Sequence, residues 1–149
     1  MSFPQIDPVQ LRVYPVESRK SKSRIEAIAV DAEAPPPAMS APVAAAVAEI
    51  VQRIQHARKQ GAPVMLAFGA HLIKNGLAPV LIRLMEKGWI THLATQGAGT
   101  IHDWEFAYLG RSEEDVRANV ETGSFGTWEE TGKYINLAVQ TGALENMGY

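Results

Sequence analysis

Two runs of strand length, of which the first is apolar, lie in the middle of the chain with a helical pattern between them. The first run covers residues 63–68 and the second covers residues 90–95, and glycines bound both. Apolar residues between the runs recur at helical spacing over residues 76–87, which predicts a helix with Pro79 in its first turn. Strand, helix and strand in this order predict a right-handed βαβ unit. Because the first run is continuously apolar, we expect its strand to be buried on both faces.

Helical patterns dominate the rest of the chain from residue 41 onward. Apolar spacing after Ser40 predicts a first helix over about residues 42–60. Three more helices are predicted, around residues 102–109, after the capping pattern that starts at Ser112, and after the similar pattern that starts at Thr127. Residues 41–149 are therefore predicted to form a three-layer α/β domain, with a parallel sheet and helices on both faces.

The first 40 residues differ from the rest in composition. Consecutive prolines at positions 35–37 exclude a helix there, so residues 1–40 are interpreted as an arm followed by a proline-rich linker. Residues 24–30 have the composition of a possible third strand. The basic cluster formed by Arg19, Lys20, Lys22 and Arg24 is predicted to be solvated, with contact to a phosphate or a partner protein as the alternative.

Composition excludes several classes of protein. The 149 residues include no cysteine, which excludes disulfides, cysteine-based metal sites and thiol nucleophiles. A formal net charge of −2 argues against a general nucleic-acid binder. No secretory signal or membrane span is predicted, so a cytoplasmic protein is expected. Because so few predicted strands would leave sheet edges exposed, we also expect a homo-oligomer.

Small residues follow both predicted strands, where parallel sheets bind ligands. The first set is Gly69, Ala70 and His71, and the second includes Thr95, Gly97, Ala98 and Gly99. Such residues let a phosphate or ribose approach the backbone closely. His102 and Asp103 are expected in the first turn of the next helix, beside that ligand. The alternatives are that the glycines only form tight turns and that Asp103 only favours a helix N-terminus.

These residues also carry a resemblance to a known family. Residues 64–88 followed by residues 90–103 resemble the amino-terminal half of the deoxyhypusine synthase family. In that family, an apolar strand, a small polar loop and a glycine that opens a helix precede a second strand. The second strand ends in Thr-Thr-Gly-Ala-Asn, followed by His-Asp or Glu-Glu-Asp. The resemblance spans about 40 residues, and the order of its motifs is more specific than any one of them.

The resemblance implies an NAD-dependent transferase with a Rossmann-like sheet. Deoxyhypusine and homospermidine synthases are homotetramers that transfer the aminobutyl group of spermidine, with NAD taking and returning a hydride. Gly69, Ala70 and His71 would then contact the nucleotide. Thr95, Gly97 and Ala98 would belong to a second cofactor loop. His102 and Asp103 would lie near the nicotinamide and the polyamine, as catalytic candidates that exchange a proton and bind a cation.

The chain departs from the family in two respects. Gln96 replaces the second threonine, and Gly69 and Ala70 replace polar residues of many members, so fewer side-chain hydrogen bonds are offered to a ribose. The family's imine-forming lysine belongs to a carboxyl-terminal half without a counterpart in these 149 residues, so we expect a fragment or a site completed by association. Two alternatives stay open: a metal-dependent enzyme using His71, His102 and Asp103, and a non-catalytic assembly module.

Overall fold

The computed structural model describes residues 3–148. Their contacts divide the chain into two compact units. The first unit comprises the chain up to Arg24 together with the chain from Trp104 onward, and the second comprises Ile25–Asp103. The boundary predicted at residue 40 lies inside the second unit. Among the described residues, no helix combines the length and apolar character needed to cross a membrane.

Helices and short strands alternate along the chain. In chain order they are β1 (Ser21–Arg24), α1 (Ile25–Ile28), α2 (Ala41–Lys59), β2 (Met65–Ala67), α3 (Ala70–Lys74), α4 (Ala78–Glu86), β3 (His92–Ala94), α5 (Gly97–Leu109), β4 (Arg111–Glu114), α6 (Val116–Glu121) and α7 (Glu129–Leu144). Single 3-10 turns at Pro8–Gln10 and Val16–Ser18 precede them. The predicted mixture of helices and strands is confirmed, while the three-layer arrangement stays a prediction.

The second unit contains the predicted βαβ pattern. Strands β2 and β3 pair in parallel, with Met65 opposite His92 and Ala67 opposite Ala94. Helices α3 and α4 connect them, and α4 has a proline in its first turn as predicted. Helix α2 closely matches the helix predicted over residues 42–60. The core of this unit is formed by four buried apolar side chains: Ala70, Ile73, Leu81 and Ile90.

Two predictions for this region are wrong. Strand β2 is not buried on both faces, since Met65 is 65% exposed in a sheet of two strands. Residues 24–30 do not form a strand, because Ile25–Ile28 is a helical turn. Ile25 and Ile28 share one face of that turn, and Glu26 in its first turn favours a helix start.

The first unit is built on a second sheet that the sequence did not predict. Strands β1 and β4 pair antiparallel, with Ser21 opposite Glu114 and Arg24 opposite Arg111. A separate parallel bridge joins Tyr14 to Trp128, through hydrogen bonds of 2.9 Å from the Tyr14 amide and 2.8 Å to its carbonyl. The amino-terminal segment is thus tied to the unit at Tyr14 and again at β1, rather than forming an arm along its whole length.

Of the two helix starts predicted from capping patterns in this unit, one is wrong and one is confirmed. Ser112 does not begin a helix but lies in β4, where it is fully buried. Asp115 caps α6 instead, because its side chain accepts a hydrogen bond of 3.1 Å from the Ala118 amide. The helix predicted after Thr127 is confirmed as α7, whose first residue is Glu129.

Candidate functional site

A pocket of about 320 Å³ lies at the carboxyl ends of β2 and β3. Its walls come from these strand ends, from α3 and α4, and from the first half of α5. The lining residues are mostly apolar: Phe68, Ile73, Ala78, Leu81, Ile82, Met85, Leu93, Thr95, Gly99, Thr100 and Asp103. A pocket at this edge of a parallel pair is where ligands bind in open α/β sheets.

The two strand ends beside the pocket are tied together by hydrogen bonds. The Phe68 amide donates to the Ala94 carbonyl at 2.9 Å. The Thr95 hydroxyl donates to the Phe68 carbonyl at 3.0 Å. The Phe68 amide bond continues the β2–β3 pairing beyond the regular strands, and Phe68 and Thr95 both line the pocket.

The segment that follows Thr95 is a helix rather than a glycine loop. Helix α5 begins at Gly97, so Gly97, Ala98 and Gly99 form its first turn and the predicted second cofactor loop is wrong in conformation. Gln96 caps this helix: its side-chain oxygen accepts from the Gly99 amide at 3.1 Å, and its carbonyl accepts from the same amide at 2.8 Å. Gln96 therefore gives the helix a cap.

Gly99 has a packing role that explains its lack of a side chain. A Cβ atom at this position would overlap the Thr95 hydroxyl oxygen. The glycine thus lets Thr95 lie against the first turn of α5 while it bonds to Phe68. This contact favours the structural interpretation of Gly99 that the sequence left open.

Asp103 is the acidic residue of the pocket. It lies in the second turn of α5, not in the first as predicted, because the helix begins at Gly97. Gly99 and Asp103 are four residues apart and therefore share one helix face, which lines the pocket. Thr95, Thr100 and Asp103 supply the polar side chains of an otherwise apolar wall. A ligand with hydroxyl or amino donors could bind to the carboxylate while its apolar part contacts α4.

The remaining predicted site residues do not line this pocket. Gly69 precedes α3, Ala70 is buried in the core, and His71 is exposed. Gly97, Ala98 and His102 lie on α5 outside the lining. A Cβ atom on Gly69 would meet nothing within 4 Å, so the space beside this residue is open. Of the nine predicted residues, the pocket brings together Thr95, Gly99 and Asp103.

The metal site that was left open as an alternative does not form among the described residues. Within residues 3–148, no group of three or more histidine, aspartate and glutamate side chains is arranged to hold a metal ion. His71, His102 and Asp103 are therefore not a ligand set. The apolar pocket residues on α4, such as Leu81 and Met85, were not singled out from the sequence, although their helical spacing indicated a buried face.

A buried ion pair forms the polar centre of the first unit. The Glu105 carboxylate is 1% exposed and receives two hydrogen bonds from the Arg19 guanidinium, at 2.7 and 2.6 Å. Ser112 and Thr131 donate to the same carboxylate at 2.6 and 2.9 Å. Arg19 also lies 5.5 Å from the centre of the Trp128 ring. Arg19 is thus buried, although the basic cluster was predicted to be solvated. Four hydrogen-bond donors contact the two Glu105 carboxylate oxygens.

The Glu105 pKa lies below its ordinary value of 4.5. Burial raises it, but the hydrogen bonds from Arg19 and Ser112, with the charge of Arg19, outweigh this effect. The ionised form therefore stabilises the fold. Its contribution is fully present above the ordinary pKa and is lost as the pH falls through the lower pKa of the folded state.

This predicts a specific pH dependence of stability. The difference in unfolding free energy between the natural protein and Glu105→Gln should be constant around neutral pH and should shrink as the pH falls below 4.5. Urea unfolding at a series of pH values measures that difference. A difference that stays constant down to about pH 2 would contradict the assignment of an ionised Glu105.

Comparisons of the chain with protein-family models, curated proteins and solved structures found no match.

Proposed function

We propose that residues 25–103 bind a nucleotide in the pocket at the carboxyl ends of β2 and β3, and that this nucleotide is NAD. The observation that carries this proposal is the presence of Asp103 in a pocket whose other walls are mostly apolar. Nucleotides combine a flat ring, which suits apolar walls, with ribose hydroxyls, which suit a carboxylate acceptor.

The volume of the pocket suits one nucleoside of a dinucleotide. Ligand pockets range from about 300 to 1,000 Å³, and a volume of about 320 Å³ lies at the small end of this range. We therefore assign the pocket to one nucleoside of NAD, with its ring against Leu81 and Met85 and its ribose toward Asp103. The other half would extend toward Gly69, where an added Cβ would meet no residue beyond its chain neighbours within 4 Å.

The Rossmann-like architecture is part of the same proposal. Support comes from the parallel β2–β3 pair and its helical connection, with the pocket at the carboxyl edge. The resemblance to deoxyhypusine synthases adds the class of reaction, an NAD-dependent aminobutyl transfer. His102 stays the proposed proton carrier for that reaction, although it does not line the pocket.

A polyamine is the second candidate ligand. A carboxylate forms strong, charge-assisted hydrogen bonds to an ammonium group, and apolar walls suit the methylene chain between ammonium groups. Asp103 with Ile82 and Leu93 offers this combination. Spermidine therefore serves as the competing probe in the experiment.

Calorimetric titration of the full chain with NAD, AMP and spermidine tests the proposal. Loss of a hydrogen bond to a charged group costs about 1.5 to 3 kcal/mol. Asp103→Asn keeps one acceptor oxygen but removes the charge, so we expect it to weaken NAD and AMP binding by about tenfold. Glu49→Gln is the matched control, because Glu49 is an exposed carboxylate on α2 outside the pocket.

The outcomes separate the candidates. Binding of NAD that Asp103→Asn weakens and Glu49→Gln preserves supports the nucleotide. Binding of spermidine alone, with the same dependence on Asp103, supports the polyamine in its place. An absence of heat with all three ligands, or equal affinities for both variants, would refute a ligand site at this pocket.

A further inference from the structure

Two arginines lie opposite each other at one end of the β1–β4 sheet. Arg24 is the last residue of β1 and Arg111 is the first residue of β4, and the antiparallel register pairs them directly. Directly opposite side chains project from the same face of a sheet, with Cβ atoms about 4.5–5.5 Å apart, and like charges in such a pair are destabilising. This end of the sheet therefore has two neighbouring guanidinium groups.

No carboxylate of residues 3–148 forms an ion pair with either of these arginines. The acidic residues that follow Arg111 in the chain have other partners. Glu113 accepts from Ser23 at 2.8 Å, Glu114 accepts from the Trp128 indole at 2.9 Å, and Asp115 pairs with Lys22 at 3.5 Å. The two positive charges are therefore left for a ligand to neutralise.

The Arg111 guanidinium is fixed by the backbone. Its Nη2 group donates to the Glu17 carbonyl at 2.7 Å. Its Nε atom is buried and has no hydrogen-bond partner among the described residues. Its Nη1 group forms no hydrogen bond with those residues either, and it is not buried as Nε is. Nη1 is therefore the donor that a ligand can reach, on a side chain whose orientation is already set.

Arg24 supplies the second cation. Its side chain is exposed, and it forms no hydrogen bond with the part of the chain that the structure describes. The long side chain can therefore turn toward a group that Arg111 holds. Within the basic cluster, Arg19 pairs with Glu105 and Lys22 pairs with Asp115, so Arg24 is the member that lies opposite another cation.

The chemistry of two adjacent guanidinium groups favours a phosphate group. A phosphate monoester carries a charge of about −1.5 to −2 near neutral pH and several strong acceptor oxygens. A carboxylate carries a single charge, which compensates one arginine only. The planar guanidinium forms paired hydrogen bonds to phosphate oxygens, and these charge-assisted bonds are strong.

We infer that Arg24 and Arg111 bind a phosphate group, either free phosphate or the phosphate of an ester, at this end of the β1–β4 sheet. One bound dianion would remove the repulsion between the two arginines and would accept from Nη1 of Arg111. This site belongs to the first unit, whereas the proposed nucleotide pocket is formed by residues 25–103. The inference therefore does not rest on nucleotide binding.

Nuclear magnetic resonance of the full chain tests the inference. Inorganic phosphate and glycerol phosphate are the two probes, with the ionic strength kept constant by chloride. The amide signals of Arg24 and Arg111 should shift along a saturating curve. Arg24→Gln should weaken binding by about tenfold, because it removes one charged donor. Arg117→Gln, which removes an exposed arginine on α6 in the same unit, is the matched control and should bind like the natural chain.

Thermal unfolding supplies a second readout. Phosphate should raise the melting temperature of the natural chain, because it binds the folded state. In phosphate-free buffer of low ionic strength, Arg24→Glu should melt above the natural chain, because it places opposite charges across from each other. Phosphate should not raise the melting temperature of Arg24→Glu.

The outcomes separate the sources of the phosphate. Saturable binding of inorganic phosphate alone supports free phosphate as the ligand, and tighter binding of glycerol phosphate supports an ester. An absence of saturable shifts with both probes would overturn the inference, as would equal affinities of the natural chain and Arg24→Gln. A melting temperature of Arg24→Glu below that of the natural chain would contradict the uncompensated charge of the arginine pair.

Discussion

Replacement of Glu105 by glutamine should destabilise the first unit by about 3 to 5 kcal/mol, because it leaves Arg19 buried without its counter-ion. The natural carboxylate satisfies two guanidinium donors and the hydroxyls of Ser112 and Thr131. A neutral amide retains one acceptor oxygen and adds a donor that would face the guanidinium. Urea unfolding followed by circular dichroism measures the loss.

Two further variants separate the buried charge from other effects. Glu49→Gln breaks an exposed ion pair with Arg53 and should cost no more than about 0.5 kcal/mol. The double replacement Arg19→Met with Glu105→Gln removes both charges and should recover much of the stability that Glu105→Gln loses. A loss below about 1 kcal/mol for Glu105→Gln alone would contradict the role assigned to the ion pair.

Gly76→Ala should destabilise the second unit by more than about 2 kcal/mol, because strain and steric overlap add. Gly76 has a φ of +80°, and a Cβ there would overlap the Ile28 carbonyl. The same backbone accepts a hydrogen bond of 2.9 Å from the Val30 amide, so the two segments cannot separate without losing that bond. Thermal or urea unfolding measures the change.

Gly61→Ala is the matched control for this prediction. Gly61 has a similar φ of +70°, but a Cβ there would meet nothing within 4 Å. Only the conformational strain of about 1 to 2 kcal/mol applies at this position. Equal losses for Gly61→Ala and Gly76→Ala would contradict the close approach of Gly76 to Ile28.

Strong helical periodicity was the most reliable signal in the sequence. Helix α2 was predicted within one residue at each end, and α4 was predicted with its proline in the first turn. The parallel strands were predicted because a glycine-bounded apolar run precedes a helix and another run follows it. These signals are local in the sequence, so tertiary contacts changed the predicted helices and strands little.

Structure that depends on distant pairing was missed. Strand β4 is Arg-Ser-Glu-Glu, which has no apolar alternation, and it forms because β1 pairs with it across more than 80 residues of sequence. Glu105 lies inside the helix predicted around residues 102–109, and no neighbouring residue in the sequence indicates its buried partner Arg19. Neither residue alone indicates the ion pair.

The candidate site was only partly predictable for a similar reason. The carboxyl ends of the strands indicated the correct edge, and Asp103 lies in a pocket there. Gly97 and Gly99 were interpreted as loop residues because glycine is uncommon inside helices. The overlap of an added Cβ on Gly99 with Thr95, which makes glycine necessary, is visible only once the helix is built.

Nuclear magnetic resonance tests the central claim most directly, because a chain of 149 residues gives resolved amide signals. Titration of the labelled protein with NAD should shift the amide signals of Phe68, Thr95, Thr100 and Asp103. Gly126 and Thr127, in the other unit, should not move. An absence of shifts, or shifts confined to residues outside the pocket, would contradict the assignment of this pocket to a nucleotide.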